Sequence, residues 1–299
     1  GVRVIALTGN APGSGGWQPD TIRINLGERV QLRITATDVV HGFAVPALGI
    51  DVNEILPGHV AEVEFTPDKV GRFAFACTRW CSVDHWRMRG TIEVVDPNNP
   101  DALLVKPATP PLYQQMKIDI DAMHMAENVP AQLPSASRGV ALAPELPAEV
   151  KDASYLRTHS PSEVWARLRG ETTLKAHSDG DLWDGVAWLW QQASGTEAIA
   201  RGQKLFQRDC AACHGEGGHG DGPAGKNLPG LSEMHPGMKR GPADFTDPSR
   251  MLGASDVLLQ GKILRGGMGS GMPEWGSLYP ETQMWDVIAY LRTFALDAK

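Results

Sequence analysis

The sequence predicts a two-part chain in which an all-β domain is followed by an all-α domain, with a proline-rich linker between them. Short runs that alternate apolar and polar residues fill residues 1–96, whereas apolar residues recur at helical spacing after Val150. A length of 299 residues leaves room for about two domains. The four cysteines fall as one close pair in each half, so none remains for a long-range structural disulfide.

The N-terminal strands are predicted from five runs, TIRIN, RVQLRIT, AEVEF, GRFAFAC and GTIEVV. The turn sequences LGE, PG and PDKVG lie between them. Strands of this length at this spacing are typical of a β-sandwich or a small barrel. We therefore assign residues 1–96 to the first domain.

Prolines dominate the next segment, residues 97–150, which we predict to be a linker that wraps a surface. They stand at positions 107, 110, 111, 130, 134, 144 and 147, where they interrupt any long helix or strand. One short helix is expected around residues 114–125. A flexible tether is the alternative to a surface-wrapping linker.

A cofactor signature, Cys210-Ala-Ala-Cys213-His214, lies in the helical half. C-x-x-C-H is the attachment sequence of c-type haem, in which the two thiols form thioethers and the histidine binds iron. A redox-active or zinc-binding C-x-x-C pair is the alternative. The amphipathic stretch TEAIARGQKLFQRD before the signature and the glycine-rich HGEGGHGDGPAG after it favour haem.

The second axial ligand of that iron must come from later in the chain, and a methionine thioether suits an electron carrier. Met272, in GSGMPEW, is the predicted ligand, with Met268 as the second choice. His219 and His235 are predicted to be surface residues. The motifs CAACHG, GDGPA, PADF, GMPEW and MWDVIAYLRTF resemble those of class I cytochrome c. The resemblance covers residues 195–299 and implies an all-α cytochrome c domain with one covalently attached haem c.

The segment between the linker and this domain, residues 151–194, contains half of a weak internal repeat. SEVWARLRG at 162–170 and LWDGVAWLW at 182–190 recur as DVLLQGKILRG at 256–266 and MWDVIAYLR at 284–292. A helix start is predicted at Ser160-Pro161-Ser162-Glu163, which combines an N-cap serine with a capping-box glutamate. The segment is either a degenerate cytochrome half without haem or a pair of convergent amphipathic helices.

The first cysteine pair lies in FACTRWCSVDHWRM, where Cys77, Cys81, His85 and Met88 follow one another at nearly regular intervals. A disulfide leaves the histidine and the methionine without a role. A zinc site completed by an upstream histidine leaves the methionine unused, and a mononuclear blue copper site leaves one thiolate unused. Two thiolates, two imidazoles and one thioether are enough for two copper ions bridged by both sulfurs.

Together with DVVHGF, LPGHVAEVEF and GTIEVV, the C-x-x-x-C-x-x-x-H-x-x-M pattern resembles the binuclear CuA domain of haem-copper oxidase subunit II. The resemblance covers residues 3–96 and implies a cupredoxin fold, which is a Greek-key β-sandwich. It also implies six copper ligands, namely the bridging thiolates of Cys77 and Cys81, the imidazoles of His41 and His85, the Met88 thioether and the Arg79 backbone carbonyl. His59, in a predicted turn, is expected to be solvated.

The two resemblances together imply the electron-accepting part of a membrane haem-copper terminal oxidase. Electrons would arrive at haem c, pass to CuA and leave for a catalytic haem-containing membrane subunit that reduces oxygen. This chain itself would have no catalytic residues. The external donor, cytochrome c or another periplasmic carrier, would dock near the haem domain. The chain would lie in the periplasm or on the outer face of the cytoplasmic membrane, anchored by an N-terminal segment that this sequence lacks.

Other functions are compatible with parts of the same pattern. A CuA-type nitric oxide reductase has the same electron path, and a free periplasmic electron shuttle needs the same two cofactors. Nitrous oxide reductase needs a histidine-rich copper cluster, which nine scattered histidines do not provide. The net charge of −7 argues against a nucleic-acid partner. Arg72, Arg79, Arg87 and Arg89 are expected to make the copper loop basic and to repel a basic cytochrome.

Overall fold

The computed structural model describes residues 1–79, 81–82, 87–99, 110–120, 122–227, 241–266, 272–276 and 278–297. The chain forms two compact units. The first comprises Gly1–Thr109, Asn227–Gly230 and Leu264–Pro280, and the second comprises Pro110–Lys226, Leu231–Ile263 and Glu281–Lys299. The domain boundaries at residues 96, 150 and 194 stay a prediction.

The described residues of the first unit form nine strands, which are β1 (Arg3–Gly9), β2 (Trp17–Gln18), β3 (Thr21–Asn25), β4 (Val30–Ala36), β5 (His41–Val45), β6 (Ile50–Ile55), β7 (Val60–Phe65), β8 (Gly71–Ala76) and β9 (Arg89–Val95). One sheet has the strand order β2-β1-β4-β7, and the other has the order β3-β9-β8-β5-β6. The pairs β1–β4 and β3–β9 are parallel, whereas the other pairs are antiparallel.

Both sheets contribute to one apolar core. The predicted alternation is clear in β4, where Val30, Leu32 and Ile34 are fully buried while the residues between them are more exposed. The ring of Phe43 lies 5.4 Å from that of Trp17 and 5.2 Å from that of Phe75, measured between centroids. Because side chains from two sheets share this core, the predicted β-sandwich is confirmed.

The loop that carries the first cysteine pair joins β8 to β9. The last residue of β8, Ala76, pairs directly with the first residue of β9, Arg89. The Cys77 N–H donates to the Met88 carbonyl at 2.9 Å and so closes the base of the loop. Since both ends of the loop continue into one sheet, its side chains are presented from a rigid base.

The described residues from Leu112 onward form ten α-helices, which are α1 (Leu112–Gln115), α2 (Ala136–Gly139), α3 (Ala153–Thr158), α4 (Pro161–Arg169), α5 (Asp179–Ser194), α6 (Thr196–Asp209), α7 (Ala211–His214), α8 (Pro248–Met251), α9 (Asp256–Arg265) and α10 (Glu281–Arg292). The predicted start of α4 is confirmed. Ser160 Oγ accepts from the Glu163 N–H at 3.2 Å, and the Glu163 carboxylate accepts from the Ser160 N–H at 2.6 Å. Within the described ranges, no helix combines the length and the apolar character needed to cross a membrane.

The described part of the linker has a shorter helix than expected around residues 112–120, and buried side chains near its end. The helix predicted around residues 114–125 is wrong in its bounds, because α1 ends at Gln115 and Lys117 adopts a positive φ of 55°. Farther along, Leu142, Leu146 and Val150 are buried. This later part of the linker therefore contributes to the core of the second unit.

Candidate functional site

The first candidate site brings together His41, Cys77 and Cys81. Their ligand atoms all lie within 4.8 Å of one another. His41 opens β5, and Cys77 directly follows β8, so adjacent strands of one sheet supply both residues. The distance between Cys77 Sγ and His41 Nδ1 is 3.7 Å. Strand pairing thus brings together His41 and Cys77, which are 36 positions apart in the sequence.

The two predicted weak ligands lie beside the same sulfurs. The Arg79 carbonyl oxygen is 3.1 Å from Cys77 Sγ, and Met88 Sδ is 3.6 Å from Cys81 Sγ. Met88 is buried in the core of the sandwich. The structure therefore brings together five of the six predicted copper ligands, and the sixth, His85, lies outside the described residues.

Glycine at position 42 is required by the close approach of the loop to β5. A Cβ at Gly42 would overlap Thr78 Oγ1. The Gly42 N–H points at Cys77 Sγ, 3.5 Å away. Only a residue without a side chain lets the strand come this near to the sulfur.

Asp38 orients the buried imidazole, and sequence reasoning missed it. Asp38 Oδ1 lies 2.9 Å from His41 Nε2, so Nε2–H donates to the carboxylate and Nδ1 faces the thiols. The carboxylate also accepts from the Ala11 N–H at 2.6 Å and from the Val39 N–H at 2.7 Å. The available signal was the acidic residue that opens DVVHGF, three positions before the histidine.

The ionisation of this cluster reflects its burial and its hydrogen bonds. Burial lowers the pKa of His41, but hydrogen bonds with Cys81 and Asp38 outweigh that effect and raise it above the ordinary value. Burial acts to raise the pKa of Asp38, but hydrogen bonds from Ala11 and His41 outweigh it and lower that pKa. Burial, and then the neighbouring Cys81, raise the pKa of the Cys77 thiol. Two adjacent thiolates in this position therefore need a bound cation.

The donor set fits copper. Two thiols that form no disulfide, one imidazole, one thioether and one carbonyl are mainly soft ligands, which copper prefers. Trp17, a second residue that sequence reasoning missed, covers the site with its ring 6.0 Å from that of His41. Its Nε1 is buried and lacks a hydrogen-bond partner within the described parts of the chain.

The positive charge of the arginines around the copper loop is more neutralised than expected. Arg72 pairs with Glu93 at 3.0 Å, and Arg79 pairs with Glu54 at 2.9 Å. Arg89 lies 3.6 Å from the Glu274 carboxylate and donates to the carbonyl of the same residue at 2.5 Å. Since three of the four arginines face glutamates, the charge expected around the copper loop is partly compensated.

The second candidate site is the C-x-x-C-H sequence, which folds as a single turn between α6 and the following loop. The N–H groups of Cys213 and His214 both donate to the Cys210 carbonyl, at 3.1 and 2.9 Å. His214 Nδ1 lies 3.1 Å from the Ala243 carbonyl oxygen, so Nδ1–H donates and Nε2 remains for a metal. Burial lowers the pKa of His214, which favours the neutral imidazole that binds iron.

The surroundings of this turn fit a haem. Phe245 stacks on the His214 ring with centroids 4.6 Å apart. The glycine-rich loop lies directly against the turn, because a Cβ at Gly222 would overlap the backbone of Ala212 and Cys213. Burial raises the pKa of both cysteine thiols. The motif and its supporting loop are thus formed as covalent attachment of a haem requires.

The remaining predicted residues are placed as follows. His59 and His219 are exposed, as predicted, and His219 Nδ1 lies 3.1 Å from Thr246 Oγ1. Met272 is partly buried and belongs to the first unit. Met268 and His235 lie outside the described residues. The assignment of Met272 as the second axial ligand of the haem iron stays a prediction.

Two family models match the chain. The model for the periplasmic domain of cytochrome c oxidase subunit II matches residues 19–95, and the model for cytochrome c matches residues 199–295. The first therefore covers the copper-ligand cluster, and the second covers the C-x-x-C-H turn.

Known relatives resemble the N-terminal part. Cytochrome c oxidase subunit 2 of Thermus thermophilus is 39% identical over 79 residues, which is 26% of this chain and 58% of the relative. Probable cytochrome c oxidase subunit 2 of Streptomyces coelicolor is 40% identical over 91 residues, 30% of this chain and 26% of the relative. The chain thus spans little more than half of these relatives, or less.

One solved structure to which part of the chain is similar is the periplasmic domain of subunit II of cytochrome oxidase from Bradyrhizobium japonicum. It is 24% identical, with a TM-score of 0.29, over 32% of this chain and 86% of that chain. The β-sandwich thus contains the match to the periplasmic domain of subunit II, and the match to cytochrome c covers residues 199–295 of the helical part. These domains imply a CuA copper centre and a covalently attached haem c.

Proposed function

We propose that this chain is the electron-transfer subunit of a membrane haem-copper terminal oxidase. It accepts electrons at haem c and passes them through binuclear CuA to a catalytic haem subunit that reduces oxygen. One observation carries the proposal: the same chain has a His41–Cys77–Cys81 cluster and a formed C-x-x-C-H turn. An electron acceptor and an electron donor within one polypeptide are what such a subunit requires.

In this proposal six ligands would hold the copper, which are Cys77, Cys81, His41, His85, Met88 and the Arg79 carbonyl. Copper bound there would supply a one-electron carrier. The protein would limit the movement of the ligands when that carrier is reduced. The hydrogen bond between Cys77 and Met88 ties the loop at its base, and Asp38 fixes the orientation of His41.

In this proposal Cys210 and Cys213 would attach the haem through thioether bonds, and His214 and Met272 would bind its iron. The Ala243 carbonyl fixes the His214 tautomer, and Phe245 limits the rotation of its ring. These two contacts would therefore hold the imidazole of His214 in one orientation.

The partners follow from the same reasoning. The catalytic membrane subunit receives electrons from the copper end, and an external carrier delivers them near the haem domain. The periplasmic domain match supports a location on the outer side of the cytoplasmic membrane. A CuA-type nitric oxide reductase and a free periplasmic shuttle are the other functions that the same two centres serve.

Rapid-mixing spectroscopy tests the proposal. The protein loaded with both cofactors is mixed with less than one equivalent of a reductant, and the haem and copper absorption bands are followed separately. We expect the haem to be reduced first and then to lose its electron to copper at a rate independent of protein concentration. A Cys81→Ser variant is the control, because it should keep haem reduction and lose the second phase. A haem that holds its electron in the wild-type chain would contradict the proposal.

A further inference from the structure

Two arginine–aspartate pairs in the second unit have the same geometry. Arg138 Nε donates to Asp184 Oδ2 at 2.7 Å, and its Nη2 donates to Oδ1 at 2.7 Å. Arg201 Nε donates to Asp286 Oδ2 at 2.7 Å, and its Nη2 donates to Oδ1 at 2.8 Å. The first pair joins α2 to α5, and the second pair joins α6 to α10. The same fork of bonds therefore occurs twice in one chain.

A glycine follows each of these arginines, and each glycine lies against the partner helix. A Cβ at Gly139 would overlap the Asp184 carbonyl, and a Cβ at Gly202 would overlap the Asp286 carbonyl. Neither glycine has a positive φ, so close packing and not backbone conformation requires them. The α2–α5 crossing thus repeats the α6–α10 crossing down to the contacting backbone atoms.

The second copy lies within the cytochrome c match, which ties the repeated crossing to that fold. The aspartates stand at equivalent places in the sequence repeat, in LWDGVAWLW and MWDVIAYLR. Convergent amphipathic helices would share apolar spacing, but they would have no reason to share an arginine, a glycine contact and an aspartate.

The first copy lacks what a haem needs. Cys210 follows Arg201 by nine residues, whereas Pro147 stands nine residues after Arg138, in a PAEVK segment without cysteine or histidine. Arginine and aspartate are 85 residues apart in the second copy but only 46 apart in the first. The first copy therefore has 39 fewer residues (85 − 46) between its arginine and its aspartate.

Apolar side chains fill the first copy instead. Its fully or almost fully buried residues include Leu142, Val150, Leu168, Leu174, Leu182 and Val186. They lie in α4, in α5 and in the short turns that follow α2, precede α3 and follow α4. Burial of such apolar side chains stabilises a fold without any cofactor.

The first copy also contacts the last helix of the haem-bearing copy. Trp190 of α5 donates from Nε1 to Asp256 Oδ1 at 3.3 Å, and Arg292 of α10 donates to the same oxygen at 2.7 Å. The Ala136 N–H donates to the Asp297 carbonyl at 2.9 Å, beyond the end of α10. A helix of 12 residues such as α10 is marginal alone and depends on such packing.

We infer that residues 135–194 are a second, haem-less cytochrome-type module, and that it holds α10 in place before haem is attached. The inference goes beyond the proposed function and does not depend on it. The haem-less module acts by packing against the haem-bearing module of the same chain. Attachment then takes place on a chain whose last helix is already formed.

Hydrogen exchange on the full chain tests this inference. A Cys210→Ser/Cys213→Ser double variant cannot attach haem. In that chain we expect α5 to keep its amide protection within about tenfold of the haem-loaded protein, and α10 to keep measurable protection. A loss of more than about a hundredfold in α5, or complete loss of protection in α10, would overturn the inference, because the first copy or the last helix would then depend on haem.

Two matched glycine substitutions sharpen the test in the haem-free chain. Gly139→Ala should remove protection from both α5 and α10, by about a hundredfold or more. Gly202→Ala should remove it from α10 and leave α5 unchanged. If Gly139→Ala does not accumulate, Arg138→Gln and Arg201→Gln replace the two glycine variants. We expect protection to be lost in the same helices, but to a smaller extent. Unchanged protection of α10 after loss of the first crossing would overturn the inference.

Discussion

Asp38 holds the imidazole of His41, and its replacement by asparagine should weaken copper binding. The carboxylate accepts three hydrogen bonds, from His41 Nε2 at 2.9 Å, from the Val39 N–H at 2.7 Å and from the Ala11 N–H at 2.6 Å. These bonds fix the ring so that Nδ1 faces Cys77 Sγ. An asparagine has the same shape, but it lacks the negative charge and has only one acceptor oxygen.

The expected size of the effect follows from this arrangement. Loss of an outer partner of a metal-binding histidine typically lowers metal affinity about 10–100-fold. The corresponding free energy is about 1.4–2.8 kcal/mol. His41 is fully buried, but the side chain of Asp38 is 29% exposed, so water partly replaces the lost charge, and we expect an effect within this range and not beyond it.

Competition with a series of copper chelators measures that change in affinity. The control is Glu62→Gln, which removes a carboxylate of the same unit that pairs with Arg33 at 3.0 Å, with both side chains about half exposed. This control should bind copper like the wild type, because exposed ion pairs contribute little to the stability of the fold. Equal affinities for Asp38→Asn and the control would refute the role given to Asp38.

Three further predictions concern local packing and ionisation. Gly42→Ala should reduce copper per chain while leaving haem unchanged, since its Cβ would overlap Thr78 Oγ1; full copper loading by elemental analysis would contradict this. Arg292→Met should lower the free energy of unfolding of the second unit by about 3–5 kcal/mol, because it strands the buried Asp256 carboxylate. Urea unfolding followed by circular dichroism measures this, and a loss below about 1 kcal/mol would speak against the pair. Because the pKa of Asp38 is lowered, its stabilisation of the metal-free first unit is full above the ordinary aspartate value of 3.8 and is lost as the pH falls toward the lowered pKa. In Asp38→Asn the free energy of unfolding should depend less on pH in this acidic range, as measured by unfolding curves at several pH values. The same pH dependence in the wild type and the variant would contradict the lowered pKa of Asp38.

Local patterns in the sequence predicted much of the fold. Alternation placed buried residues on one face of β4, and the serine and glutamate of the capping box marked the start of α4 correctly. Both signals depend on residues a few positions apart, so they survive without tertiary context. The C-x-x-C-H turn is local in the same sense, since its hydrogen bonds join residues within one turn.

Other features depend on contacts that a linear pattern does not encode. The role of Asp38 includes a hydrogen bond from Ala11, 27 residues earlier in the chain. The end of α1 lies before the positive φ of Lys117, which no proline or glycine at that position announces. The Arg138–Asp184 contact spans 46 residues, and it became recognisable as part of a repeat only when the glycine contact beside it was visible. In each case tertiary packing decides what the local sequence leaves open.

Electron paramagnetic resonance of the copper-loaded, oxidised chain, together with a count of copper and haem in the same sample, tests the central claim most directly. The proposed ligand set predicts two copper ions for each haem and hyperfine structure from one unpaired electron shared by two equivalent coppers. A spectrum from a single copper, or bound zinc without copper, would contradict the binuclear centre and leave a haem carrier alone.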